Sequence, residues 1–195
     1  MKSVDGAMDW YARGGNGGMA GVSASEVWRK EKVMGNFYKD VLKVHQSFAA
    51  PARVAALELL KPETRDRVSA IIADAHAHGA ALMPWETFRS RARQKVLYER
   101  GVTKLKDVGV HGFGLACDLV FDLGGGEPSW KGDFSLLGTL ARDHGLIWGG
   151  DWGDPTRKHG FVDAVHVQRC PLSRQAALFR EEWYPEGAYD PYDDR

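Results

Sequence analysis

HGFGLACDLVFDL, residues 111–123, is the stretch on which the fold turns. Its second part, LACDLVFDL (115–123), is apolar and partly β-branched, and it predicts a buried strand. Gly112 and Gly114 allow a tight turn after His111, and Gly124 to Gly126 end the run. Asp118 lies inside this strand, between Cys117 and Leu119. A carboxylate there needs a partner once its side is buried, and a metal ion is one such partner. Asp122 shares the strand face of Asp118 and is the substitute candidate.

Outward from this strand, regular elements follow on both sides. Upstream, Val68, Ile71, Ile72 and Ala75 fall on one helical face. Pro62 suits the first turn of that helix and Gly79 its stop. ALMPWETF (81–88) predicts a short, interrupted strand. Ser90 to Arg100 predicts a helix with Ser90 as N-cap. Downstream, Asp133 can cap a helix carrying Leu136, Leu137, Leu140 and Ala141. LIWGG (146–150) and VDAVHVQ (162–168) read as strand edges around a Gly-rich loop, and SRQAALFREEW (173–183) as a last helix. Strands and helices mix without a βαβ rhythm. The expected class is therefore α+β, a small, largely antiparallel sheet flanked by helices. Residues 1–22 are Gly-rich and expected to be flexible. Residues 23–54 carry helical spacing and are read as a helical extension, residues 55–185 as the main domain, and 186–195 as an acidic, disordered tail.

Composition narrows the function. The 195 residues hold 26 Lys plus Arg and 26 Asp plus Glu, so no charge footprint for nucleic acid or an anionic membrane exists. No run approaches the ~18 apolar residues of a membrane span. The opening MKSVDGAMDWYARGGNGGMAG has no apolar core of a secretory signal, so synthesis in the cytoplasm without a signal peptide is expected. The two cysteines, Cys117 and Cys170, read as reduced, buried thiols. P-loop, GxGxxG, GxSxG and HExxH patterns are all absent.

What remains is a spaced set of metal-ligand types. His166 sits between Val165 and Val167, an imidazole within a strand-like run. Asp163 cannot share its strand face but can reach the same place from the loop leading in. His111, Asp118 and His166 would supply two imidazoles and a carboxylate, with Asp163 as a spare carboxylate to act as base. That donor set suits one zinc ion with a position open to water. His76 and His78 point to different sides of a solvated helix, and His144 ends a helix. His45 reads as a surface residue, and Asp151 and Asp154 as turn formers. Trp130, Trp148 and Trp152 are candidates to line a groove for sugar or peptide. His159, in the polar loop DPTRKHGF, lies near the presumed site.

HGFGLACD also resembles the HxxGxAxD signature of the D-Ala-D-Ala metallopeptidase superfamily, and DAVH (163–166) its DxxH signature. ETFRSRARQKVLYERGVTK (86–104) and WGGDW (148–152) are similar to segments of the phage-type L-alanyl-D-glutamate endopeptidases, the endolysins. The resemblance covers roughly residues 55–170 and implies a hedgehog/DD-peptidase-like fold. It implies His111, Asp118 and His166 as zinc ligands, Asp163 as general base and acid, and Arg89 at the developing oxyanion. Gln94, Trp152 and His159 are expected at the substrate. The implied activity is hydrolysis of the peptidoglycan stem peptide at L-Ala–D-Glu. D,D- or L,D-carboxypeptidase action and a non-hydrolytic, zinc-containing wall-binding module are the alternatives. Action on the cell wall then requires release or delivery, with a phage or secretion partner docking on the N-terminal extension. Gly109 and Gln168 depart from the family's usual Ser and Glu, which puts fine tuning and substrate preference in question.

Overall fold

The computed structural model of the protein describes residues 35–153 and 161–194. The expectations for residues 1–22, for residues 23–34 of the helical extension, and for His159 lie outside the described residues.

Helix α1 (Pro62–Ala77) opens with proline at its first turn, where a missing N–H costs nothing. Its face of Val68, Ile71 and Ala75 is fully buried, as the spacing predicts. Strand β1 (Leu82–Glu86) follows, with an irregularity between Pro84 and Glu86. Helix α2 (Arg91–Glu99) is capped by Ser90, whose Oγ accepts from the Arg93 amide at 3.0 Å. Strands β2 (Ala116–Asp122) and β3 (Pro128–Ser129) precede helix α3 (Ser135–Asp143). Asp133 Oδ1 accepts from the Ser135 amide at 2.8 Å and so fixes the start of α3. Strands β4 (Ile147–Trp148) and β5 (His166–Gln168) and helix α4 (Leu172–Phe179) complete the described order.

The strands form one antiparallel sheet in the order β1-β2-β5-β4, with β3 also pairing β2. The fold is α+β, as expected. The two-residue period of β2 sorts its side chains between two environments. Cys117 and Leu119 join Leu82 and Val167 under α1 and α3, against Val68, Ile71, Leu137 and Leu140. Each such buried aliphatic side chain contributes roughly 1.5–3 kcal/mol. Ala116 and Asp118 face the other way. That side is partly closed by a second cluster containing Phe37, Tyr38, Leu42, Phe88, Phe113, Cys170 and Leu178.

Two expectations change. First, residues 35–54 of the expected helical extension form no α-helix. Tyr38–Leu42 is a single π-helical turn, and Gln46–Phe48 and Leu57–Leu59 are 3₁₀ turns. Val54 instead pairs antiparallel with Phe88, and its carbonyl accepts from the Thr87 amide at 2.8 Å. That bond uses a backbone group a helix would need. Second, the acidic tail is not disordered over its described residues. The buried Arg169 Nη2 donates to the carbonyls of Glu186, Gly187 and Tyr189 at 2.9, 2.7 and 2.8 Å. Arg174 grips both carboxylate oxygens of Asp194 at 2.8 and 3.0 Å.

Candidate metal centre

His111 rides on a 3₁₀ turn, Val110–Phe113, just before β2. Gly114 closes that turn at φ +68°, and a Cβ there would stand 2.7 Å from the Leu59 carbonyl oxygen. Only glycine allows both the left-handed backbone and this approach. The turn is thereby seated on the start of α1, where the Lys61 amide donates to the Gly114 carbonyl at 2.8 Å. β2 then delivers Asp118, and β5 places His166 directly opposite it in the ladder.

These three side chains converge. Asp118 Oδ1 stands 3.1 Å from His111 Nε2 and 2.9 Å from His166 Nδ1, and the two nitrogens are 3.2 Å apart. All three residues are buried, and their donor atoms lie within 4.8 Å of one another. The triangle tests the fit to a metal ion. Three mutual contacts each require one proton to be hydrogen bonds. With one proton, two lone pairs meet. With two, two N–H groups collide. A cation held by all three atoms satisfies them together.

The outer partners agree. His166 Nε2 donates to Gln168 Oε1 at 3.0 Å. The Gln168 amide is itself oriented, since its Nε2 donates to the Cys170 carbonyl. His111 Nδ1 faces the Thr87 carbonyl at 3.4 Å. Both arrangements turn the other ring nitrogen inward as a ligand atom. Gln168, where the resembling family often has Glu, thus orients the imidazole without adding a charge.

Electrostatics follow the same geometry. Burial would raise the Asp118 carboxyl, but the facing imidazoles, His111 foremost, hold it well below the usual carboxylate range. Burial pushes His111 down against the pull of Asp118. Burial also lowers His166, but the Asp118 hydrogen bond and charge outweigh it and raise that imidazole.

Arg89 closes the other side. Its Nη2 donates to Asp118 Oδ2 at 3.1 Å, and Nε and Nη2 donate to Glu86 Oε2 at 2.9 and 2.6 Å. Glu86 is only 2% exposed and also accepts from Arg93 Nε at 2.9 Å. Glu86 pairs with Asp118 across β1 and β2. Sequence reasoning passed over it. The missed signal was an acidic residue closing an apolar strand three before Arg89 and seven before Arg93, where burial demands cations.

Asp163 is half-buried at the mouth of β5. Its amide donates to the Gly149 carbonyl at 3.1 Å, and its own carbonyl accepts from the His166 amide at 3.1 Å. Burial raises its carboxyl above the ordinary value, while His166 pulls the other way. A Cβ on Gly149 would meet the Asp163 carbonyl oxygen at 2.4 Å, so WGGDW can pass close to DAVH only because glycine stands there. Trp152 follows, its ring 5.0 Å from that of His166 and stacked on Phe161 at 6.0 Å.

Other candidates fall elsewhere. Gln94 is buried, and its Nε2 donates to Thr103 Oγ1 at 3.1 Å and to the Leu105 carbonyl at 2.5 Å. Its amide hydrogens hold that loop in place. Asp122 binds the amides of Gly124 and Gly126 at 2.8 and 3.0 Å and serves a turn. Cys117 lies in the core under α1 and α3, on the sheet face opposite Asp118.

The buried His–Asp–His set on this antiparallel α+β domain is one that could hold a metal ion. By comparison with known proteins, the chain is 28% identical over 130 residues to the peptidoglycan L-alanyl-D-glutamate endopeptidase CwlK of Bacillus subtilis, covering 57% of this chain and 74% of that protein. No family model matches. Among solved structures, the L-Ala D-Glu endopeptidase ChiX of Serratia marcescens has a TM-score of 0.47 at 22% identity, covering 61% of this chain and 90% of ChiX. The vancomycin-resistance D,D-pentapeptidase VanY, solved with Zn(II), has a TM-score of 0.43 at 15% identity, covering 56% of this chain and 71% of VanY. In motif the chain resembles the D-Ala-D-Ala metallopeptidase superfamily, and in sequence it is similar to CwlK.

Proposed function

We propose that this protein is a zinc-dependent endopeptidase that hydrolyses peptidoglycan stem peptides at the L-Ala–D-Glu bond. The observation that carries the reading is the convergence of His111, Asp118 and His166, with Asp163 beside them. The 28% identity to an L-alanyl-D-glutamate endopeptidase supports the choice of bond.

In this reading His111 Nε2, Asp118 Oδ1 and His166 Nδ1 would hold the ion. Zinc so bound would supply a water whose pKa is lowered toward ~7 and a Lewis acid for the scissile carbonyl. The Asp163 carboxylate takes the proton of the attacking water and delivers it to the leaving amine nitrogen of D-Glu. Arg89 keeps Asp118 oriented through Nη2, and its permanent charge faces the developing oxyanion. Glu86, itself bound by Arg93, holds that guanidinium in place. Trp152 forms a wall beside His166 that limits water at the site. The substrate lies in the cell wall, which the protein reaches by release or delivery.

Digestion of purified sacculi tests the proposal. New amino termini on D-Glu are expected. Release of free D-Ala would convert the reading to a carboxypeptidase, and bound zinc without turnover would convert it to a wall-binding module.

A further inference from the structure

The proposed site engages the three ligands, Asp163, Arg89 and Trp152, but leaves an aromatic pair on the same side of the sheet without a role. Trp85 on β1 and Trp130, just past β3, meet edge to face at 4.7 Å between ring centroids. Phe121 pairs with Leu82 of β1 and with Ser129 of β3, so those strands flank β2 on opposite sides. The two indoles therefore reach toward each other across β2.

Strand parity gives their face. Leu119 and Phe121 pack toward α1 and α3, so Asp118 and Val120 face the opposite way. Ser129 lies opposite Phe121, which puts Trp130, one residue on, beside Val120 on the Asp118 face. Two residues of strand separate positions 118 and 120, about 7 Å. Trp85 is half-buried, with the Arg53 guanidinium 3.7 Å over its ring. Arg53 also donates to the Trp85 carbonyl, which holds that stack in place. Trp130 is 49% exposed. An indole that shows half its surface to solvent, braced behind by a second, fixed indole, forms a rigid ledge.

We propose that the Trp130–Trp85 ledge binds the sugar of the glycan strand from which the stem peptide hangs. This deepens the proposed function and rests on it. The L-Ala amino group is amide-linked to the lactyl group of N-acetylmuramic acid. The sugar consequently lies one short lactyl arm from the L-Ala carbonyl, a span comparable to the ~7 Å between positions 118 and 120. The apolar C–H face of a pyranose stacks on an indole, and the Arg53 guanidinium offers donors to hydroxyl and acetamido oxygens at its edge. A D-Ala–D-Ala bond sits several residues farther from the sugar and would gain nothing from a ledge placed here.

The test uses the full-length chain and a probe with no L-Ala–D-Glu bond, the disaccharide N-acetylglucosaminyl-N-acetylmuramoyl-L-alanine. Binding is read by tryptophan fluorescence and calorimetry, so it is independent of turnover. Trp130→Ala is expected to weaken the probe about fivefold to tenfold, with a smaller loss in Arg53→Gln. Cleavage of a stem peptide lacking sugar is expected to be unchanged in Trp130→Ala, while KM rises for the same peptide carrying the disaccharide. Equal affinity of parent and Trp130→Ala for the probe, or no binding by the parent, would overturn the ledge. Failure of the parent to cut either peptide would overturn the proposed function, while the probe titration still reads the ledge separately.

Discussion

His166 has one ring nitrogen fixed by Gln168 and the other aimed at Asp118, so a bound metal ion would compete with a proton for the same Nδ1. The carboxylate raises the imidazole above its ordinary value of 6.5. Metal binding must displace that proton, so affinity should fall as pH drops through this raised value. Zinc titrations across pH are expected to show the decline beginning above pH 6.5, and a flat profile would contradict the ligation. Asp163→Ala should keep zinc while losing roughly 10²–10⁴ in turnover, because only proton transfer is removed. Loss of metal in that variant would make Asp163 a ligand. Glu86→Gln should destabilise the fold by about 2–4 kcal/mol in urea titrations, since it strips the shared counter-charge from Arg89 and Arg93. Asp118 and His166 were legible because a polar residue in an apolar strand is conspicuous. Glu86 was not, because its partners come from the next helix, and their approach is a tertiary event.

At the scale of elements, β5 is short and heavily used. In three residues it supplies His166, a core valine, and the glutamine that orients the imidazole; Arg169, the next residue, binds the tail. Removing residues after Trp183 would leave the Arg169 guanidinium buried without three carbonyl acceptors. That truncation is expected to cost about 2–4 kcal/mol by thermal or urea unfolding. No change would mean that solvent replaces the tail freely. The helices from Pro62 onward were readable from apolar spacing, because each buries one continuous stripe. Residues 35–60 were not, because Phe37, Tyr38 and Leu42 anchor in a core assembled from Phe88, Phe113 and Leu178, far away in sequence. The tail misled for a similar reason: acidic composition reports on side chains, whereas Arg169 binds backbone carbonyls.

For the whole molecule, the sheet separates two apolar clusters and leaves its second face to divide work between packing and chemistry. Asp118 and His166 stand as direct cross-strand neighbours on β2 and β5, and β4 pairs with β5. An ion bridging them would also act as a rung of the ladder. Folding and loading then become linked equilibria, and the melting temperature becomes a gauge of free zinc. Each further decade of zinc above the dissociation constant should add about 1.4 kcal/mol of stability, until loading of the unfolded chain intervenes. The same coupling would make metal supply a timer: a chain made where zinc is scarce would remain pliable, then stiffen on arrival where the ion is plentiful.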